Sequence, residues 1–423
     1  MPPAELTRRA FLVRAAAALA GGALAASARH PVALAGAQPA ALGLSWGDSA
    51  IADLPFSTIF RRDHTLVLRF LPQYAHGYTA PLLAAKGLLV AQGDFFALEP
   101  SAATKLVVRV GARRRVLPVP LEAGRWYHLA LVRRAGELSL YLDGRRLGLP
   151  LDVGKARPRG PLRLGRGTAR DAQFFGLIDD VALAPHALGA TRIRALARAR
   201  FLTGTESDVT PVVFRRSPPV VPVSATRDGE ADRSAVPLGP VAPLVLPFPP
   251  GEAWEVVQGF DDPFESHRGY AAFAWDFALA GRPRSETNGR PFFAAAAGTV
   301  ERVVDQYGSG PPSWNYLSVR TAAGQVCDYL HLVQGSVQVS AGDQVALGQP
   351  LGAVGDSGVA LGNDHLHLAV TTLGEAARGA SGYVTIPASF GGYEASDDAG
   401  QTWRTVARGV PVTGQWVRRA AAS

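Results

Sequence analysis

Cysteine is nearly absent: Cys327 is the one thiol in 423 residues, so no intramolecular disulfide framework exists. Charged residues make up only 18% of the chain against 47% hydrophobic ones, which excludes a charge-dominated disordered protein and describes ordered globular material. Long apolar runs are missing too. The uncharged stretch after Arg14 reaches 14 residues, short of the roughly 20 that a spanning helix needs, so no stable membrane span is expected in the mature chain. Aromatics are 8% of the residues, and basic clusters such as Arg113-Arg114-Arg115 are not interleaved with them, which argues against nucleic acid as a partner. Histidine is scarce as well: the chain has nine, and after residue 240 only His267, His331, His365 and His367 remain.

The formal net charge of +8 favours an anionic partner, such as a wall polymer, a lipid headgroup or an acidic glycan. Residues 1–35 read as an address. Thr7-Arg8-Arg9-Ala10-Phe11-Leu12 resembles a twin-arginine export signal, followed by an Ala/Gly-rich region and small-residue exits near residues 28 and 35. The expectation is an exported protein, periplasmic or extracellular.

Residues 41–204 alternate in short runs broken by Gly, Pro and Asp, the pattern of an antiparallel β-sandwich. Trp126 to Arg133 and Gly136 to Gly144 form a hairpin pattern, with Asp143-Gly144 suited to the next tight turn. Together with Phe175 to Leu183 and Pro185-His186-Ala187-Leu188, these residues resemble the laminin G-like, concanavalin-type jelly roll. That resemblance implies a glycan-binding or surface-ligand module. Asp179 and Asp180 are candidate calcium ligands, although acidic pairs more often end a strand and cap a turn. His64, His128 and His186 suit strand edges or turns. Residues 205–243, with Ser217-Pro218-Pro219 and Pro240-Val241-Ala242-Pro243, read as a Pro-rich linker.

A second all-β unit is expected over residues 244–423, which makes the whole chain all-β. Its focus is Asn363-Asp364-His365-Leu366-His367-Leu368, an H-x-H pair in an apolar, strand-like run. Side chains two apart on a strand share a face, so His365 and His367 can serve one small volume. The pair alone is a weak signal. Context comes from Ser266-His267-Arg268-Gly269, Ala274-Trp275-Asp276-Phe277, Asp328-Tyr329-Leu330-His331 and Gly355-Asp356-Ser357-Gly358, in that order. A carboxylate amid the apolar neighbours of Asp276 costs several kcal/mol unless it is paired or metal-bound. The ordered series resembles the lysostaphin-type, LytM-like zinc endopeptidases of cell wall metabolism, also called duplicated hybrid motif proteins.

The resemblance implies one catalytic zinc held by His267, Asp276 and His367, with one position open for water. It implies His365 as general base and His331 as the group that binds the oxyanion or positions the water, with exchange of the two roles left open. Its substrates would be peptidoglycan peptides. The sequence departs from the family's H-x-x-x-D spacing, because eight residues separate His267 from Asp276. Fully extended, that segment spans about 30 Å, so a fold-back at Gly269-Tyr270 is expected. By alternation Cys327 shares a face with Tyr329 and His331 and reads as an inert buried thiol. The segments Gly281 to Arg290 and Gly308 to Pro312 are expected beside the groove, and strands but no chemistry are expected after Val370.

The reading is thus an exported zinc metalloendopeptidase that hydrolyses peptidoglycan, carrying a jelly roll for attachment. Its rivals are a catalytically silent wall-binding or regulatory protein and a surface adhesin.

Overall fold

The computed structural model describes residues 40–420 except 46–47, 75–79, 93–103, 167–172, 200–201, 203–205, 225–231, 233–234, 237–241, 261, 263–265, 268–270 and 379–382. The export-signal reading and the fold-back at Gly269-Tyr270 lie outside the described residues. The chain divides into two compact units, whose boundary falls between Pro237 and Leu238. All pairings between named strands are antiparallel, and the all-β expectation holds. Among the described residues no helix is long and apolar enough to cross a membrane.

The first unit is a sandwich of an eight-stranded and a seven-stranded sheet. Strand His64–Pro72 is buried along its whole length, because Val67 and its neighbours on one face meet the helix Ala190–Arg198 through Ile193 and Leu196. The hairpin signal is realised as written. Asp143 and Gly144 take φ of 48° and 78°, the double left-handed geometry of a two-residue turn, between Glu137–Leu142 and Arg145–Asp152.

Two sequence expectations change here. Residues 210–222, read as linker, supply three short strands to this unit. Thr210–Pro211 pairs with Gly176–Ala184, Phe214–Arg216 with Ala50–Ala52, and Val220–Pro222 with Ala40–Leu44. Prolines fit because these strands are short additions to a sheet, where few ladder donors are required. The calcium reading of Asp179 and Asp180 gains no support, since both carboxylates are engaged within the protein. Asp180 pairs with Arg69 at 3.1 Å, both side chains being buried, and Asp179 accepts its neighbour's N–H at 2.8 Å. Asp180 balances a buried guanidinium that also donates to the Leu196 carbonyl at the helix end.

The second unit is built on a ten-stranded sheet. Leu366–Thr371 lies at its centre, between Ala274–Leu279 and Val326–Leu330, and all three strands are buried throughout. Alternation explains the mixed composition of Ala274–Leu279. Trp275 and Phe277 turn to an aromatic core containing Phe390, with centroids 4.7 and 6.0 Å away, which leaves Asp276 on the opposite face. The tail does more than extend the chain. Trp416–Arg419 and Phe390–Ser396 continue the sheet beyond Trp254–Gln258, and Arg404–Gly409 closes that edge.

Candidate metal centre

Asp276 and His367 are direct cross-strand partners, so their side chains rise from the same face at the shortest available spacing. His367 Nδ1 is 2.8 Å from Asp276 Oδ1. His267 arrives from a separate segment, and its Nε2 lies 3.2 Å from the same oxygen and 3.4 Å from His367 Nδ1. Three donor atoms thus form a triangle with sides of 2.8, 3.2 and 3.4 Å. A tetrahedral zinc with bonds of about 2.0–2.1 Å holds its ligand atoms about 3.3 Å apart, so this donor set fits the ion in chemistry and in size. Among the described residues, these three form the His, Cys, Asp and Glu cluster able to hold a metal.

Backbone carbonyls fix the imidazoles. His267 Nδ1 donates to Gly259 O at 3.2 Å, which leaves the lone pair of Nε2 for the cluster. Gly259 is held in turn by its own N–H, which donates to Thr413 Oγ1 at 2.9 Å. With its amide oxygen turned to the backbone, Gln258 accepts from Ser266 and His267 N–H at 3.0 and 2.8 Å. Gln258 is a cross-strand partner of Asp276, so one register aligns the carboxylate and the support of the neighbouring imidazole.

His365 Nδ1 donates to Asn363 O at 2.7 Å, and its Nε2 lies 3.7 Å from Asp276 Oδ2. His331 Nδ1 donates to Ser357 O at 2.8 Å, and its ring centroid is 4.7 Å from that of His365. The expectation that His331 shares a face with Cys327 and Tyr329 is corrected here. The strand ends at Leu330, and His331 takes φ of +67°, a left-handed conformation uncommon for a residue with a Cβ. That single dihedral breaks the alternation and brings the ring to the histidine cluster. Cys327 and Tyr329 remain in the core, where burial pushes the thiol up to about 12 and the Tyr329 hydroxyl accepts from Ala295 N–H at 2.7 Å.

The electrostatics are those of a buried cation site. Burial would raise the Asp276 carboxyl, but the charges of His267 and His365 and the imidazole hydrogen bonds hold it well below the usual range. Burial alone would lower His267, and Asp276 reverses this to a net rise. Burial lowers His367 despite Asp276, with His267 and Arg378 adding to the depression. His331 is lowered to about 3 by burial and by the neighbouring His365 and His367.

Supporting residues escaped the sequence reading. Asn315 is fully buried and accepts from Tyr307 N–H while donating to the Tyr307 and Leu332 carbonyls. Ser357 Oγ accepts from Asn315 N–H, which ties the 307–315 loop to the carbonyl holding His331. Asn288 donates to Asp364 and Arg284 to Asn363, so the 281–290 segment steadies the approach to His365. The sole signal for such residues is a polar side chain within an apolar run.

Residues 52–194 match the family model of the concanavalin A-like lectin/glucanases superfamily, and residues 283–378 match that of peptidase family M23. The chain therefore carries a laminin G-like concanavalin domain followed by an M23 peptidase domain. The second match takes in His331, His365 and His367 and begins after His267 and Asp276. No curated protein matches the chain. Solved structures similar to parts of it include a candidate carbohydrate binding protein from Bacteroides ovatus, at 16% identity and a TM-score of 0.33, over 42% of this chain and about half (51%) of that one. A SAP-like pentraxin from Limulus polyphemus aligns over 45% of this chain and 97% of its own, at 14% identity and a TM-score of 0.32. The deep-sea M23 metalloprotease pseudoalterin aligns over 31% of this chain and 70% of its own, at 20% identity and a TM-score of 0.24.

Proposed function

We propose that this chain, a concanavalin A-like module joined to an M23 peptidase domain, is an exported zinc-dependent endopeptidase that cleaves the peptides of peptidoglycan. The observation that carries the reading is the triangle of donor atoms from His267, Asp276 and His367, sized for one tetrahedral ion. Bound by those three side chains, zinc supplies a Lewis acid that polarises a peptide carbonyl and lowers the pKa of water.

The chain's own part follows from its tautomers. His331 and His365 each commit Nδ1–H to a carbonyl, so in the neutral state each offers Nε2 as an acceptor. His331 is held neutral at physiological pH, and its role is to orient the attacking water. His365 takes the proton from that water and returns it to the departing amine, as general base and then general acid.

The basic net charge suits an anionic wall polymer, and the twin-arginine-like leader supports export. In this reading the concanavalin-like unit attaches the enzyme to wall glycan or another surface ligand. The test is digestion of purified peptidoglycan by the zinc-loaded chain, with and without a chelator, followed by mass spectrometry. New amine and carboxyl ends that vanish with the chelator are expected. A zinc-retaining protein that releases no ends would overturn the peptidase reading.

A further inference from the structure

We propose that the outer face of the seven-stranded sheet in the first unit binds a linear acidic polysaccharide through a line of arginines; this deepens the attachment role given to that unit above and rests on it. No strand of the sheet contains aspartate or glutamate, while Lys86, Lys105, Arg109, Arg159, Arg163 and Arg216 all belong to it. The eight-stranded sheet opposite carries Glu137, Asp152, Asp179 and Asp180. Acidic strand residues are thus kept to one side of the sandwich.

Register brings the cations into line. Arg216 pairs with Ile51, Ile51 with Arg163, Arg163 with Ala84, Ala84 with Leu89 and Leu89 with Arg109. Direct partners rise from the same face, so these side chains form one line across neighbouring strands, about 24 Å long by the usual strand spacing. The alternate line, Leu164, Leu83, Val90 and Val108, is at most 1% exposed in the core, which turns the arginines outward. Arg109 and Arg216 are exposed and Arg163 is half-buried, and no hydrogen bond or ion pair engages these three guanidiniums among the described residues. Arg114 stands opposite Arg109 and has a contact of its own. Lys86, two residues beyond Ala84, faces Arg159 directly; such a like-charge pair costs stability in the free sheet, and a bound anion relieves it.

Charge complementarity names the occupant. A guanidinium fork matches a carboxylate with two parallel hydrogen bonds, and three such forks spread along a line suit a polymer with repeated carboxylates. Between them Ile51, Ala84 and Leu89 make an apolar floor, against which the C–H faces of sugar rings can rest. Nucleic acid fits less well, since no aromatic side chain lies in the line for bases to stack on. A lipid surface also fits less well, because Ile51 and Leu89 are half-buried and cannot reach into acyl chains as a docked apolar face must.

The experiment measures binding of the full chain to polygalacturonate and to the same polymer methyl-esterified, at about 0.15 M salt. The wild type is expected to bind the acid form about tenfold more tightly or better, the scale of one charge-assisted contact. Arg109→Gln/Arg163→Gln/Arg216→Gln should lose that preference, each single variant should lose part of it, and the charge-matched control Arg145→Gln/Arg146→Gln/Lys155→Gln, off this face, should keep it. Melting curves confirm that the variants are folded. Equal binding of both polymers by the wild type, or a wild-type preference in the folded triple variant, overturns the arginine face. Tighter binding of duplex DNA or of anionic lipid vesicles than of polygalacturonate overturns the polysaccharide as its occupant. Retention on purified peptidoglycan sacculi separates this proposal from the reading beneath it: wild type and triple variant retained alike leave the attachment role standing without the arginine face, whereas a wild type held by neither sacculi nor polymer overturns both.

Discussion

His367 Nδ1 and Asp276 Oδ1 meet at 2.8 Å because their residues are register partners on adjacent central strands. A pair fixed by the sheet ladder loses little entropy on gripping an ion. Asp276→Ala removes the one carboxylate of the set, and zinc affinity is expected to fall at least a hundredfold, as measured by competition with a chromogenic chelator. Undiminished zinc binding in that variant would remove Asp276 from the coordination sphere.

His365 is placed to act on water without being counted among the ligands. His365→Ala should keep about one zinc per chain while peptidoglycan cleavage drops about 10²- to 10⁴-fold, the usual scale of a lost general base. Metal content and cleavage rate measured on one preparation check this. Cleavage at the wild-type rate would assign the proton transfer elsewhere.

His331 carries backbone strain in the service of position. A left-handed residue with a Cβ costs about 1–2 kcal/mol relative to glycine, so His331→Gly is expected to be more stable than His331→Ala by about 1 kcal/mol in urea unfolding. Both variants should lose most of their cleavage activity. Equal stability of the two would mean that the strain is relieved elsewhere.

The sequence disclosed the fold class, both units and all five side chains that converge, because apolar alternation and the ordered histidine motifs are local patterns. It missed what depends on a dihedral or on distant chain. Alternation put His331 with Cys327, and only the φ of +67° reverses this. Proline content made residues 210–222 read as linker, since composition does not reveal that the edge of a sheet tolerates missing donors. The supports Gln258 and Asn315 act through side-chain amides that bond backbone groups distant in sequence, which leave no local pattern.

Asp328 gives the second unit a pH signature. Burial raises its carboxyl from 3.8 to about 7, against hydrogen bonds from Ser318, Thr371 and the Glu375 backbone. A folded pKa above the unfolded one means that the folded state holds the extra proton, so this contribution is full below about pH 4 and is lost as pH rises to about 7. At about 1.4 kcal/mol per unit, the loss over that window is a few kcal/mol. Wild-type melting temperature should therefore fall relative to Asp328→Asn between pH 5 and pH 8. A constant difference between the two would show an ordinary carboxylate.

The Thr413 hydroxyl holds Gly259, whose carbonyl holds His267, so one hydroxyl steadies an imidazole 146 positions earlier in the chain. A chain stopped after Gly409 keeps every proposed ligand, yet it should bind zinc more weakly, which titration of the truncated protein would reveal. The candidate centre is therefore complete only once a strand far from the histidine motifs has packed beside it.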